Sequence, residues 1–260
     1  MKMPVKLLTV LAGALFAAGN CLGQASFSSQ SIADAFVTTG AAGGLSSSNF
    51  GAAGSLAIAA NGLPQGEFQS VLKFDFAGAE NSFNAQFGAG QWMIQSVTLQ
   101  LTSSPHNNPI FNNIAAGQFN VSLMQNNSWV EGTGTGGVPT SDGVSFNSLL
   151  GVYVNNATDQ SLGTFNFPGG SSGQNSYTLG LSSGLISDVT SGGDASLRLF
   201  AADSTVSYLF SSRSGGALAA PTISVEAIAV PEPSSVALCA AALVMLWLLQ
   251  SFRRWMQRHR

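Results

Sequence analysis

Charge is what this sequence has least of. Asp, Glu, Lys and Arg make up 8% of it, against roughly 25% in an average soluble protein. Cations are the rarest. Between Gln24 and Val230 there are three, Lys73, Arg198 and Arg213, against eleven Asp or Glu, a net charge of −8. So few cations cannot neutralise a run of phosphates, which excludes nucleic-acid binding. Cysteine is almost as scarce. Cys21 falls in the N-terminal segment that reads as a secretory signal and Cys239 in the C-terminal apolar run, so the stretch between them holds no disulfide framework. Histidine is reduced in the same stretch to His106, in the loop between Pro105 and Pro109. A Ser-His-Asp triad would have to centre on it, and the simpler reading is a solvated loop residue. No zinc-ligand cluster and no His-Glu-x-x-His occurs. These shortages point to a non-enzymatic protein.

What is abundant sits in an orderly way. Met1 to Ala25 has the form of a secretory signal: Lys2 and Lys6, an apolar run from Leu7 to Ala18, then small residues. The run is too short to span a bilayer. Cleavage after Gly23 or after Ala25 fits the pattern, and the competing readings are lipidation at Cys21 and a retained anchor. At the other end Val230-Pro231-Glu232-Pro233 precedes an apolar run from Val236 to Leu249, then Arg253, Arg254, Arg258 and Arg260. Ser234, Ser235, Ser251 and Phe252 extend that run to a transmembrane helix over 234–252. The arginines hold their end in the cytoplasm, which leaves residues 26–229 on the far side. The two prolines forbid regular helix and strand, keeping the segment above the membrane extended.

This C-terminus resembles the PEP-CTERM sorting signal: Pro-Glu-Pro, one transmembrane helix, then an arginine cluster, matched over 230–260 in order, spacing and position. The resemblance implies processing near Pro231, Glu232 and Pro233 by an exosortase, a membrane-embedded transpeptidase, with Arg253 and Arg254 in the discarded tail. It further implies passage through the secretion translocon, a transient single-pass membrane stage, and delivery to the cell surface or extracellular matrix of a Gram-negative, exopolysaccharide-producing bacterium. A permanent anchor on a Pro-rich stalk is the alternative.

Between the ends, alternation dominates. Leu72, Phe74 and Phe76 alternate with Lys73 and Asp75; Val97, Leu99 and Leu101 with Thr98 and Gln100; Phe119, Val121 and Leu123 with Asn120 and Ser122. Tyr177, Leu179 and Leu181, then Val206, Tyr208 and Phe210, then Ile223 and Val225 repeat the pattern. Period-2 runs are half-buried strands, and the stretches 132–137 and 168–173 between them are rich in turn residues. No segment from Ser26 to Ala229 shows a helical period, and no repeat or linker divides it. The expectation is one all-β domain, an antiparallel β-sandwich of jelly-roll type. Phe74 and Leu99 should be core, with Lys73 pointing away.

Several segments resemble the DNRLRE-type domain of secreted bacterial proteins. They are Asp34-Ala35-Phe36-Val37, Asn49-Phe50-Gly51, Leu72-Lys73-Phe74-Asp75 and the strand from Ile94 to Leu101. Trp129-Val130-Glu131-Gly132, Val144-Ser145-Phe146-Asn147, Phe210-Ser211-Ser212-Arg213 and Pro221-Thr222-Ile223-Ser224-Val225 follow in the family's order, with Phe146 where the family has Trp. The resemblance implies a β-sandwich used in adhesion or matrix structure, or appended to polysaccharide-active enzymes, some relatives binding carbohydrate.

Two candidate sites follow. A saccharide contact would centre on Trp129 and Glu131, because a flat indole stacks on a sugar ring while a carboxylate accepts hydroxyl hydrogen bonds; the bland reading has Trp129 plugging one end of the sandwich. Trp92, Tyr153, Tyr177 and Tyr208 are the other candidate sugar platforms. Loop-bound calcium would draw on Asp142, Asp159, Asp188, Asp194 and Asp203, although Asx turns explain the same residues. No other cofactor is expected. The function expected is a cell-surface or matrix protein, structural or adhesive; the alternative is a carbohydrate-binding module for exopolysaccharide, with a glycan-active enzyme and an ice-binding protein further off.

Overall fold

A computed structural model describes residues 23–104, 111, 116–170, 173–216, 220–230, 243–247, 250 and 257. The chain divides into two units, Ala25–Ala227 and the two terminal stretches. In the terminal unit the described residues include Ala229, whose N–H donates to Gly23 C=O at 3.2 Å, and helical residues 243–247. Among the described residues no helix is long and apolar enough to cross a membrane. Most of 234–252 lies outside them, as do Pro231, Glu232, Pro233, Arg253, Arg254 and His106.

The large unit is all-β and mostly antiparallel. Its strands are β1 (Gln24–Thr38), β2 (Ser55–Ala59), β3 (Phe68–Asp75), β4 (Trp92–Thr102) and β5 (Gly117–Met124), then β6 (Gln160–Phe167), β7 (Gln174–Leu179), β8 (Asp194–Ala201), β9 (Ser207–Ser211) and β10 (Thr222–Ala229). They follow the order β6-β5-β8-β3-β1-β10-β4-β7, with β2 bridging β3 and β9. The sheet curls until its two ends nearly meet, where Gly180 N–H donates to Leu162 C=O at 2.7 Å. β1 lets it turn. A bulge between Ser31 and Ala33 interrupts its register, and bulges bend and twist a strand. Before the bulge Ser31 faces Phe74 of β3 while its N–H donates to Pro221 C=O, just ahead of β10, at 2.9 Å; after it, Asp34 to Thr38 pair with Leu72 to Phe68.

The alternating residues converge as expected. Phe74, Leu99, Phe119, Val121, Leu197, Leu199, Phe210 and Val225 form the main core inside the curl. Two smaller clusters lie elsewhere. One sets Phe36 against Phe50 and Phe68. The other packs Ala35, Val37, Val71 and Met124 under Trp129, Val144, Phe146 and Leu149. The second cluster is why the chain from 125 to 159 is not a loose loop: it lies on the outer face of β1, β3 and β8.

Helices are present where no helical period was legible. Ala79–Phe87 buries Ala79 and Phe83, and Ser183–Ser191 buries Leu185 and Val189. The first sets Ala79, Phe83 and the half-buried Phe87 four residues apart and the second a single i, i+4 pair, enough to dock two turns but too short to register as a period. Ser182 Oγ caps the second by accepting from Leu185 N–H at 3.3 Å. Ser182 also sits in Gly180-Leu181-Ser182-Ser183-Gly184, the spacing of a serine nucleophile elbow. Its backbone is ordinary extended rather than strained, and its hydroxyl is spent on the cap, so the spacing serves the helix start.

Candidate functional site

The segments singled out in the sequence come together in space. Asp34 ends the bulged part of β1, Asn49 follows the turn after β1, Trp129 and Glu131 enter the covering loop, and Arg213 opens a short turn after β9. Arg213 Nη2 and Nε both meet the Glu131 carboxylate, Nε at 3.1 Å from Oε1. Oε1 also accepts the Asp34 N–H at 3.2 Å. The Asp34 Oδ2 accepts Arg213 N–H at 2.8 Å and Ser31 Oγ–H at 2.9 Å. Asp34 Oδ1 is buried and has no partner among the described residues.

Burial pushes the Asp34 pKa up to about 6; the Arg213 N–H and the Ser31 hydroxyl pull it down, and the Glu131 charge adds to the rise. The Glu131 hydrogen bond holds Arg213 above its ordinary value. An acid that ionises near neutrality beside a second carboxylate is a feature of many active sites. Here, however, the second carboxylate is clamped by arginine and the first is sealed from solvent. The arrangement ties β1, β9 and the covering loop together.

Asn49 completes the tie. It is fully buried. Its Nδ2 donates to Glu131 C=O at 2.6 Å and Val144 C=O at 2.8 Å. Its Oδ1 accepts Gly51 N–H and Gly134 N–H, each at 3.1 Å. Four bonds saturate the amide. The surrounding glycines are there for space. A Cβ on Gly132 would strike the Asn49 amide and one on Gly134 its carbonyl, and Gly132 also holds φ +77°. The Gly-rich loop, read from its composition as turn-rich, is therefore fastened down at Gly132 and Gly134.

Trp129 needs correction as a sugar platform. Its side chain is 1% exposed. Nε1–H donates to Ser196 Oγ at 2.8 Å, and Lys73 Nζ lies 4.8 Å from the ring centroid. An indole covered in this way has no free face for a pyranose, and the packing role accounts for it. Tyr177 and Tyr208 are buried as well; burial raises the Tyr177 pKa and pushes Tyr208 up to about 12. Glu131 keeps both oxygens on Arg213. Lys73 does point away from the core, but not into solvent: it donates to Asn127 C=O at 2.7 Å and Trp129 C=O at 3.1 Å.

The loop aspartates do not converge; among the described residues no group of three or more His, Cys, Asp or Glu could share a metal ion. Asp142 is held down to about 2 by hydroxyl bonds from Thr140 and Thr133 and the Thr133 amide. Asp159 accepts Gln125 N–H and Asn155 N–H, both at 3.0 Å. Asp203 accepts Gln118 N–H at 2.7 Å; burial opposes its charge, but this bond and those from Thr205 hold it below the usual range. Asp188, facing Asp194, is raised to about 6 by burial and by that neighbouring charge.

Compared with known proteins, the chain matches no protein-family model and no curated protein sequence.

Proposed function

We propose that this chain is an exported, exosortase-processed protein of the bacterial cell surface or extracellular matrix, with a structural or adhesive rather than catalytic role. The observation that carries the reading is the order of elements at the C-terminus: Pro231-Glu232-Pro233, an apolar run from Val236 to Leu249, then four arginines from Arg253 to Arg260. The N-terminal charged and apolar segments complete it as the entry to a secretion translocon. We read the curled antiparallel sheet as a jelly-roll sandwich of DNRLRE type. In favour is the meeting of Asp34, Asn49, Trp129, Glu131 and Arg213, five residues of four separate motifs, in one fastening. Its Glu131 carboxylate is consumed in holding the covering loop to Arg213 and β1, which suits a load-bearing domain outside the cell. Signal cleavage after Gly23 would leave β1 whole, whereas cleavage after Ala25 would remove a residue that packs on the core.

The test is to replace Pro231-Glu232-Pro233 by three alanines in an exosortase-bearing host and follow the protein by fractionation. The account expects the native protein at the surface or in the medium and the variant retained in the inner membrane. Equal release of both contradicts it.

A carbohydrate-binding role remains the second reading. The burial of Trp129 moves its site away from that loop, to the open face considered next.

A further inference from the structure

The outer face of β6, β5 and β8 is not covered by the 125–159 loop in the way β1 and β3 are. There the cross-strand partners Ser161, Ser122 and Arg198 form one row, and Thr164, Asn120 and Phe200 the next. With Asn156 and Asp159 from the end of the covering loop, all of these but Thr164 line a pocket of about 300 Å³. Arg198 is the unusual member. It is one of three cations in a domain of net charge −8 and is half-buried, yet it forms no ion pair among the described residues.

Its orientation is fixed from behind. Nε donates to Gln69 Oε1 at 2.7 Å, and Gln69 Nε2 donates in turn to Glu67 at 2.5 Å. The guanidinium carbon sits 4.3 Å over the Phe200 ring. Burial lowers the Arg198 pKa, with Glu67 and Asp159 opposing the fall. What remains is the terminal Nη1/Nη2 edge, whose donors have no partner among the described residues. A planar fork held at its Nε and stacked on one face has lost its rotamer freedom before any ligand arrives. Its natural complement is a carboxylate bound through both oxygens. Apart from Asp159, the rest of the lining is uncharged and rich in hydroxyl and amide groups: Thr164 Oγ1–H donates to Asn120 Oδ1 at 2.6 Å, which leaves the Asn120 amide donors without a partner among the described residues. Asp159, the acid in the pocket, already spends both oxygens on backbone amides.

We propose that this shelf binds an acidic sugar, the carboxylate of a uronate residue pairing with Arg198 while Asn120, Ser122 and Ser161 meet its hydroxyls. The inference rests on the surface-protein reading only for where such a polymer would be met.

The experiment is calorimetric titration of the full chain in detergent with tri-galacturonate, its methyl ester, and acetate. The acid should bind at least ten-fold more tightly than the ester, and acetate should fail to saturate the site. Arg198→Gln should abolish that difference, and Arg198→Lys should not restore it, because an ammonium has no planar fork with one nitrogen to spare for Gln69 and two others aligned on a carboxylate. Ser122→Asp keeps Arg198 but sets a carboxylate beside it from the neighbouring strand, and should also abolish binding without lowering the unfolding midpoint. Equal binding of acid and ester, loss of neither in the variants, or no binding of any sugar overturns the site. None of these results touches the C-terminal processing, which the Pro231-Glu232-Pro233 replacement tests separately.

Discussion

Lys73 is bonded to the loop it was expected to ignore: its Nζ lies 4.8 Å from the Trp129 ring centroid and donates to the carbonyls of Asn127 and Trp129. Hydrogen bonds to a charged group are worth about 1.5–3 kcal/mol each, and a cation over an aromatic face adds about 0.5–2 kcal/mol. These gains are offset by ordering a flexible side chain. Lys73→Met should therefore cost roughly 2 kcal/mol by chemical denaturation, where an outward, solvated lysine would cost nothing. Trp129→Ala should cost about 3–5 kcal/mol, as for other buried aromatics.

The Asn49 fastening gives a second test. Asn49→Ala removes four hydrogen bonds and leaves the N–H groups of Gly51 and Gly134 and the carbonyls of Glu131 and Val144 without their partner. Buried groups so orphaned cost about 1–3 kcal/mol each, so the fall should exceed 3 kcal/mol. Gly134→Ala should damage the same contact from the opposite side. Hydrogen exchange should show protection lost first between 129 and 144, before β3 and β8.

Acidity should act in two directions. The folded-state pKa of Asp34 is about 6 against an ordinary 3.8, so between those values the folded protein holds a proton that the unfolded chain has released. Stability therefore rises as pH falls from about 7 towards 4, by up to about 3 kcal/mol from Asp34. Asp188 acts in the same sense, more weakly because solvent reaches it. Below about pH 4 the depressed acids Asp142 and Asp203 lose their bonds and stability falls. The unfolding midpoint should peak between pH 4 and 6, and Asp34→Asn should flatten the rise on its neutral side.

In the main core, Phe74→Ala should cost about 3–5 kcal/mol and Leu99→Ala about 2–5 kcal/mol through the cavities they leave. Both are fully buried in the same cluster, so Phe74→Ala should cost more than Lys73→Met at the neighbouring position.

How far these features were legible in the sequence depends on whether a strand has one buried face or two. β4, β5, β7 and β10 each carry a run read from alternation, because one face meets the core and the other is more polar; β3 and β9 were read from Leu72-Phe74-Phe76 and Val206-Tyr208-Phe210, although Phe68 to Leu72 and Ser207 to Phe210 are buried on both faces. β2 and the last five residues of β1 are buried on both faces, which erases alternation. β6 is broken by the register shift opposite Val121 and Ser122. β8 does alternate, with Ala195, Leu197 and Leu199 inward, but its outward Arg198 is itself half-buried, and nothing local marks that arginine as held by Gln69 on another strand. The fastening was visible only as scattered short motifs; Asp34 and Arg213 are 179 residues apart, a separation no periodicity reports. Trp129 was found, but whether a tryptophan in a Gly-rich loop faces solvent or Ser196 is decided by the sheet beneath it.

The most direct test of the central claim is the intact mass of the protein recovered from the cell surface or medium of an exosortase-bearing host. The account predicts a species that starts near Gln24 and ends near Pro231-Glu232-Pro233, without the tail from Arg253 to Arg260. A surface species whose mass includes Arg253 to Arg260 contradicts it.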